Sequence, residues 1–493
     1  MPDVVGELIV TAIVATGEGE GVAAFAEATY LGVSGITVIG GAAILGAAIG
    51  LQHALNNPEV PKAENGAVPI KQAIPPRVRG YWINRLAGCY VLFLAAGADS
   101  QDMLAFHSGR IEEVLQIYLH DQPVAVSPAP THGAVTTVAT VGADQFRGVQ
   151  IQIFYGLDSQ NSSDMLNAVN TSGTWTSAYA GRGIACLAMY CAQAPDPETF
   201  TKRFRQGLPL PSVVAKCAPV FDPRDGTQSA GNPLTWKASP NPVLQLMDYL
   251  TLADGGMGED RDILFPSAVV EQWMAEANLC SQDVGGRLRY ASAGWYQFDN
   301  SPESVIGKIL STCDGWLAEA GDGTLGLTVG VYREPTEPPI APAHILGCSV
   351  RFGVPDEEQV SQLDVSFTNP LAAYVSDQID SVRDEDAISR AGIVRAKPLD
   401  LTWVQDPGQA LILARRALLR LNPEASGTLV TTRYGMRYLG RRWVKVQFPS
   451  YAKRLAGRTC VIEIQDKARV DLLGGRVTFN WILVDPAKLT ALQ

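Results

Sequence analysis

The sequence predicts a strand-rich α+β protein: several β-barrel or sandwich domains, a small helical-hairpin α+β domain and an apolar N-terminal arm. Three observations carry this. Charged residues make up only 18% of the 493, while 47 Gly and 31 Pro supply many turns. Apolar and polar residues alternate along short runs such as Val149, Ile151, Ile153 and Leu363, Val365, Phe367. Helical spacing of 3.6 residues is confined to a few segments, and one of these feeds directly into an alternating run.

From Ala28 to Pro58 there is no Asp, Glu, Lys or Arg. Its centre, Leu31 to Leu51, carries Ile36, Ile39, Ile44 and Ile49, and as a helix it would span about 31 Å, the thickness of a bilayer's hydrocarbon core. No basic residue precedes it, so it does not read as a cleaved secretory signal. Gly46-Ala47-Ala48-Ile49-Gly50 fits a close-packing GxxxG pattern. A membrane or lumen segment and a buried core helix or strand pair both satisfy this composition.

Pro58 to Pro76 is a Pro-rich linker. Tyr90–Leu94 and Gln116–Leu119 then read as short buried strands, Ser127–His132 as a loop, and Val149–Ile153 as a half-buried strand. Asn241-Pro242 supplies a cap and a first-turn proline for a helix carrying Val243, Leu244, Leu246, Met247 and Leu250. Ser267 is expected to cap a second helix. Ser301-Pro302-Glu303 opens a third, with Val305, Ile306, Ile309, Leu310, Cys313, Trp316 and Leu317 on one face. A turn at Gly321–Gly323 leads to an alternating strand through Leu325, Leu327, Val329 and Val331. Pro335–Pro342 is a second linker, Asp406-Pro407 opens a further helix, and Trp443–Phe448, Cys460–Ile464 and Val477–Val484 are strands. The implied domains are 1–61 (the arm), 62–218 (β-rich, with one domain allowed inside another), 219–340 (α+β) and 341–493 (a β-barrel with one packed helix).

Chemistry is sparse. No Gly-rich phosphate loop, Gly-x-Ser-x-Gly elbow or paired-histidine metal motif is present. The eight cysteines are scattered, as buried reduced thiols would be, and no cofactor or metal is expected. The five histidines, His53, His107, His120, His132 and His344, read as loop or surface residues. Carboxylates at Asp222, Asp225, Glu259, Asp260 and Asp262 sit beside turns, where they form turns or solvated charges more often than a glycosidase pair or calcium site. The net charge of −11 argues against a general nucleic-acid surface. It is unevenly distributed: residues 1–61 hold six acids and no Lys or Arg, while Arg433 to Arg458 hold eight bases and no acid. Arg433, Arg437, Arg441, Arg442 and Lys445 read as solvated strand ends or as an assembly interface pairing with acidic neighbours, the acidic N-terminal residues among them.

The order of elements resembles the tail-tip hub of long-tailed bacteriophages, the host-specificity protein J family of lambda and its relatives. The residues that carry the likeness are Gly207-Leu208-Pro209, Val213-Val214, Val220-Phe221-Asp222-Pro223-Arg224, Asn241-Pro242, Asp248-Tyr249-Leu250 and Gly255-Gly256-Met257-Gly258. The helix Val305–Leu317, the strand Val365–Phe367, the helix Ala410–Arg420 and the early Leu115–Leu119 follow in matching places. The resemblance implies tail-hub-type β-domains in a homotrimer that closes the tail tube at its distal tip. It implies a virion protein made in the bacterial cytoplasm and no enzyme. Its implied partners are tail tube and distal tail proteins, the tape measure protein, separate receptor-binding or fibre proteins, and phage DNA passing through the lumen. The host membrane is the partner expected of the apolar segment. Relatives continue into fibronectin-like modules where this sequence ends near Gln493, so receptor recognition is expected of another protein. A membrane-anchored surface protein and a carbohydrate-active hydrolase are the alternatives.

Overall fold

The computed structural model describes residues 68–71, 75–96, 99–142, 144–170, 173–319, 324–355, 358–466 and 468–492. The run Leu31–Leu51 and the turn at 321–323 lie outside the described residues. Among the described residues, no helix is long and apolar enough to cross a membrane. The chain is α+β and strand-rich, as its turn-rich composition predicts, and among the described residues none of its sheets closes into a barrel.

An antiparallel sheet orders the strands Cys89–Ala96, Asp99–Ser108, Ile184–Cys191, Val149–Tyr155, Val135–Val138 and Val126–Ser127. A second orders Ile83–Leu86, Pro211–Lys216, Glu113–Leu119 and Gln122–Val124. Alternation puts Leu104, Phe106, Ile151 and Leu187 of the first against Leu86, Ile117 and Val213 of the second, forming a sandwich core. The helix Asp164–Val169 covers the other face of the first sheet, with Met165 and Leu166 on Met103, Phe154 and Cys186. That second layer is why Val149–Tyr155 is buried on both faces rather than one. Its Gln152 is 2% exposed and satisfied, donating to Gly133 O at 2.7 Å and accepting from Ser163 Oγ at 2.7 Å.

The central unit is helical. Asn241 caps Pro242–Thr251 and Ser301 caps Pro302–Cys313, each accepting a backbone N–H as the sequence predicts. The helix Ser267–Cys280 begins one residue before its expected cap residue could act: Pro266 is the N-cap and no side chain caps it. The apolar periodicity through Trp316 and Leu317 outruns its helix. Asp314 turns left-handed (φ 49°) and ends it, so Trp316–Glu319 becomes a strand paired with Leu325–Thr328. Trp273 donates its indole N–H to Leu325 O at 2.9 Å, seating Ser267–Cys280 on that hairpin.

The apolar cores do not break at residue 340. Strand Gln362–Asn369 contributes Leu363, Val365 and Phe367, and helix Pro407–Leu421 contributes Ala410, Leu413, Ala414 and Leu418, to the core that holds the central helices. The last sheet orders Ile345–Phe352, Ala425–Thr432, Arg476–Val484, Thr459–Ile464 and Trp443–Gln447, with Arg469–Asp471 paired to Arg476–Val484. Its core gathers Leu429, Val444, Val446, Ile462, Phe479 and Trp481. The Pro-rich segment before it is packed: Ile340 is fully buried and brackets the edge strand through bonds with Lys445 and Gln447.

His107 departs from its expected surface position. It lies in the strand Asp99–Ser108 at 1% exposure, its ring nitrogens 3.1 Å from Gly109 O and 3.3 Å from Gly80 O. Burial, reinforced by Arg79, lowers its pKa to about 4, so it is neutral at physiological pH. In the same strand Asp102 is 1% exposed, and burial raises its pKa to about 7 against partial relief from Ser100 and Lys71. The folded protein therefore binds a proton there that the unfolded chain has released. Stability from this group is greatest at low pH and falls as pH rises from about 4 to about 7. Asp102→Asn is expected to remove that fall and to stabilise the fold by about 2–4 kcal/mol at pH 8. Thermal unfolding of both proteins across pH 4–8 measures it.

Candidate functional site

The densest polar chemistry in the fold is a buried charge cluster where the central unit meets the last sheet. Asp314, at the end of helix Pro302–Cys313, receives Arg416 Nε at 2.8 Å, Arg420 Nη1 at 2.6 Å and Arg442 Nη2 at 3.0 Å. Glu463, from strand Thr459–Ile464, receives Arg420 Nε at 2.8 Å, Arg442 at 3.3 Å and the Trp443 indole N–H at 3.1 Å. Arg416 and Arg420 stand one turn apart on helix Pro407–Leu421 and so present both guanidinium groups to one point. Burial alone would raise the Asp314 pKa. Arg420, Arg442 and Arg416 outweigh it and hold the carboxyl far below its ordinary range. Glu463 is likewise lowered, with Arg420 and Arg442 overcoming its burial. The cluster also requires Gly330: a Cβ there would lie 2.5 Å from the Asp314 Cβ.

Two further junctions are polar. Asp248 on helix Pro242–Thr251 accepts from Arg79 and from the Tyr81 hydroxyl, both at 2.9 Å, joining the strand Val78–Tyr81 to the central helices. Arg85 donates to Ser212 Oγ at 2.9 Å, Asp121 at 2.6 Å and Ala373 O at 3.3 Å, joining the sandwich to the loop after Gln362–Asn369. These side chains are structural in geometry: each is bonded to a protein partner, although the buried Arg79 Nε has none.

The five basic residues singled out from the sequence divide. Arg442 is 3% exposed and belongs to the buried cluster. Arg441 pairs with Glu337 at 2.8 Å and Lys445 with Glu334 at 2.7 Å, across to the Pro-rich segment. Arg437 lies 5.1 Å from the Tyr434 ring centroid, and Tyr434 stacks on His344 at 3.8 Å. Arg433 and Arg437 are exposed and have no carboxylate within 4.0 Å among the described residues. Lys453, Arg454, Arg458, Arg469 and Arg476 are exposed in the same way. Residues 425–484 hold eleven Lys or Arg against three Asp or Glu, so this module is basic in an acidic protein.

The carboxylates by the central turns are engaged locally. Asp222 forms a two-point bond with Arg224, at 2.9 and 2.8 Å. Asp225 accepts from Thr227 and Lys237, which lower its pKa in that turn. Asp260 caps the short helix Arg261–Leu264. Among the described residues no group of three or more His, Cys, Asp or Glu could hold a metal ion. All eight cysteines are free, six of them buried.

No protein-family model and no curated protein matches the sequence. Among solved structures, a chain from the virion of a native gene transfer agent (GTA) particle is similar at a TM-score of 0.58 and 14% identity, covering 96% of this chain and 97% of that one. At that identity the likeness shows a shared fold. The 43 kDa tail protein of prophage MuSo2 from Shewanella oneidensis (TM-score 0.28, 10% identity, 84% and 100% covered) overlays only loosely. A tail protein from Neisseria meningitidis MC58 does the same (0.29, 10%, 84% and 98%).

Asp314→Asn leaves three buried guanidinium groups with one carboxylate and is expected to destabilise the fold by roughly 3–5 kcal/mol at pH 7. Because the folded pKa is depressed, the wild-type advantage is complete above the ordinary Asp range and is lost as pH falls below about 4. Urea unfolding at pH 7 and at pH 3 should show the gap between the two proteins narrowing at the lower pH.

Proposed function

We propose that this chain is a structural component of a phage-like tail, working as part of an assembly and not as an enzyme. One observation carries this: the fold is shared along nearly the whole of both chains with a component of a gene transfer agent virion. The order of sequence motifs supports it, since it resembles that of tail-tip hub proteins. On that basis the chain forms a homotrimer at the distal tip, closes the tube, and supports host attachment and genome delivery. Its neighbours are tube and distal tail proteins, the tape measure protein and separate receptor-binding or fibre proteins, with DNA passing through the lumen. The charge-free segment Leu31–Leu51 has the length to enter the host envelope when the tail opens.

Assembly contacts fall to Arg433, Arg437, Arg441 and Lys445. Arg442 is set apart from them because its guanidinium is committed inside the chain. Charge reversal at Arg442 therefore tests folding, whereas reversal at Arg433 and Arg437 tests assembly.

The deciding measurement is imaging of purified particles carrying an electron-dense label on this chain's C-terminal end. Three labels at the far end of the tail are expected. Particles without the chain, or label distributed along the tail, would overturn the assignment. Arg433→Glu with Arg437→Glu should leave the isolated chain folded and lower the yield of complete tails by about tenfold.

A further inference from the structure

The hairpin between Arg469–Asp471 and Arg476–Val484 presents two leucines to solvent. Leu472 is 59% and Leu473 102% exposed, at a tip where turn-forming polar residues are the rule. The tip is built to hold them there. Asp471 Oδ1 accepts the Gly474 N–H at 2.7 Å, Gly475 takes φ 61°, and a Cβ on Gly474 would meet the Asp471 carboxylate at 2.1 Å. Beside the tip is a groove of about 290 Å³ lined by Met436, Val470, Val477, Arg433 and Arg476, together with Asp471, whose carboxylate holds the turn through Gly474. Arg469 lies in the same hairpin, two residues before Asp471. Apolar lining and two exposed leucines beside three arginines that have no carboxylate within 4.0 Å among the described residues ask for a ligand that is both acidic and apolar.

We propose that this groove and tip receive residues 18–27 of this same protein, from its own chain or from a neighbouring copy. Glu18, Glu20 and Glu27 flank Val22 and Phe25, which gives carboxylates for the arginines and side chains for the groove. Residues 1–61 contain no Lys or Arg to oppose that attraction. The forty residues between Glu27 and Val68 reach roughly 130 Å when extended, farther than the width of the folded body, so the span is no obstacle. Being tied to the site raises the segment's effective concentration over any free acidic peptide. Docked in this way, the segment holds the adjoining charge-free run against the protein surface, and release requires only that the arginines find another anion.

The test uses the full-length chain with a photo-crosslinking phenylalanine analogue at Leu473. Crosslinked peptides should map within residues 18–27. Arg433→Glu with Arg476→Glu should cut that product about tenfold and speed cleavage at Glu18, Glu20 and Glu27 by a glutamate-specific protease about tenfold. Glu18→Lys with Glu20→Lys serves as the control that leaves the folded body untouched, and it should lose the crosslink equally. Combining the two charge reversals should restore it. Crosslinks that map elsewhere, or a cleavage rate unchanged by the arginine reversals, would overturn the assignment. So would binding to phosphatidylglycerol vesicles or duplex DNA that needs Leu473 or the arginines while no crosslink forms. All of these are read on the isolated chain, so the outcome is independent of whether the chain is found in tails.

Discussion

Three arginines and two carboxylates withdrawn from water hold the central helices to the last sheet, and the relative placement of the two units depends on them. Bringing such charges together costs desolvation of several kcal/mol per ion, recovered only if the geometry is satisfied. Here Asp314 takes bonds from three guanidinium groups, and Glu463 takes two more together with an indole N–H. A hydrophobic contact of similar size would tolerate sliding. This cluster does not, because each arginine comes from a fixed place: two from one helix face and one from the start of a strand. The orientation of the basic module is thereby set by the end of a helix more than a hundred residues earlier.

The same device recurs at the other boundaries. Arg79, Tyr81 and Asp248 join the strand Val78–Tyr81 to the central helices, and Arg85 joins the sandwich to the loop after Gln362–Asn369 through Ala373 O. Gln409 links three elements at once. It accepts from Ala291 N at 3.0 Å and donates to Ala291 O at 2.8 Å and Thr312 O at 2.7 Å. Apolar cores fill the units, whereas directional bonds fix how the units meet. On the proposed tail assignment the chain presents several faces at fixed angles to different partners, and buried polar junctions suit that demand better than apolar contacts.

What the sequence made legible was local. Asn241, Ser301 and Asp406 cap their helices, and Leu363, Val365 and Phe367 alternate into a core, because caps and period-2 patterns are decided by neighbours in sequence. What it concealed was decided at long range. Trp316 and Leu317 continue a helical pattern, yet a left-handed Asp314 diverts them into a strand because three distant arginines hold its carboxylate. Arg442 lies within a basic run that reads as surface, and its buried partners, Glu463 twenty-one residues on and the distant Asp314, are not evident from that run. A signal for it existed in Arg416 and Arg420, like charges one turn apart within an apolar helix face, which need a buried anion. The hairpin tip was equally readable: two leucines ahead of Gly474-Gly475 and after Asp471 combine strong turn chemistry with the wrong polarity for a free turn.

Charge distribution then bears on which way the last module faces. Eleven bases against three acids within residues 425–484 leave an acidic remainder, so the molecule is strongly polarised. A channel that lets DNA slide cannot be lined by unpaired arginines, since each phosphate contact releases counterions and adds affinity that must be broken at every step. On the proposed tail assignment the basic face is therefore turned toward protein, and the acidic remainder is left to border the polyanion. Arg441 and Lys445 already illustrate the preference, each bound to a glutamate of the Pro-rich segment rather than left open. Three of the arginines left without a carboxylate among the described residues, Arg433, Arg469 and Arg476, lie by the exposed Leu472 and Leu473, and on the proposed docking an acidic and apolar protein segment satisfies both halves of that surface.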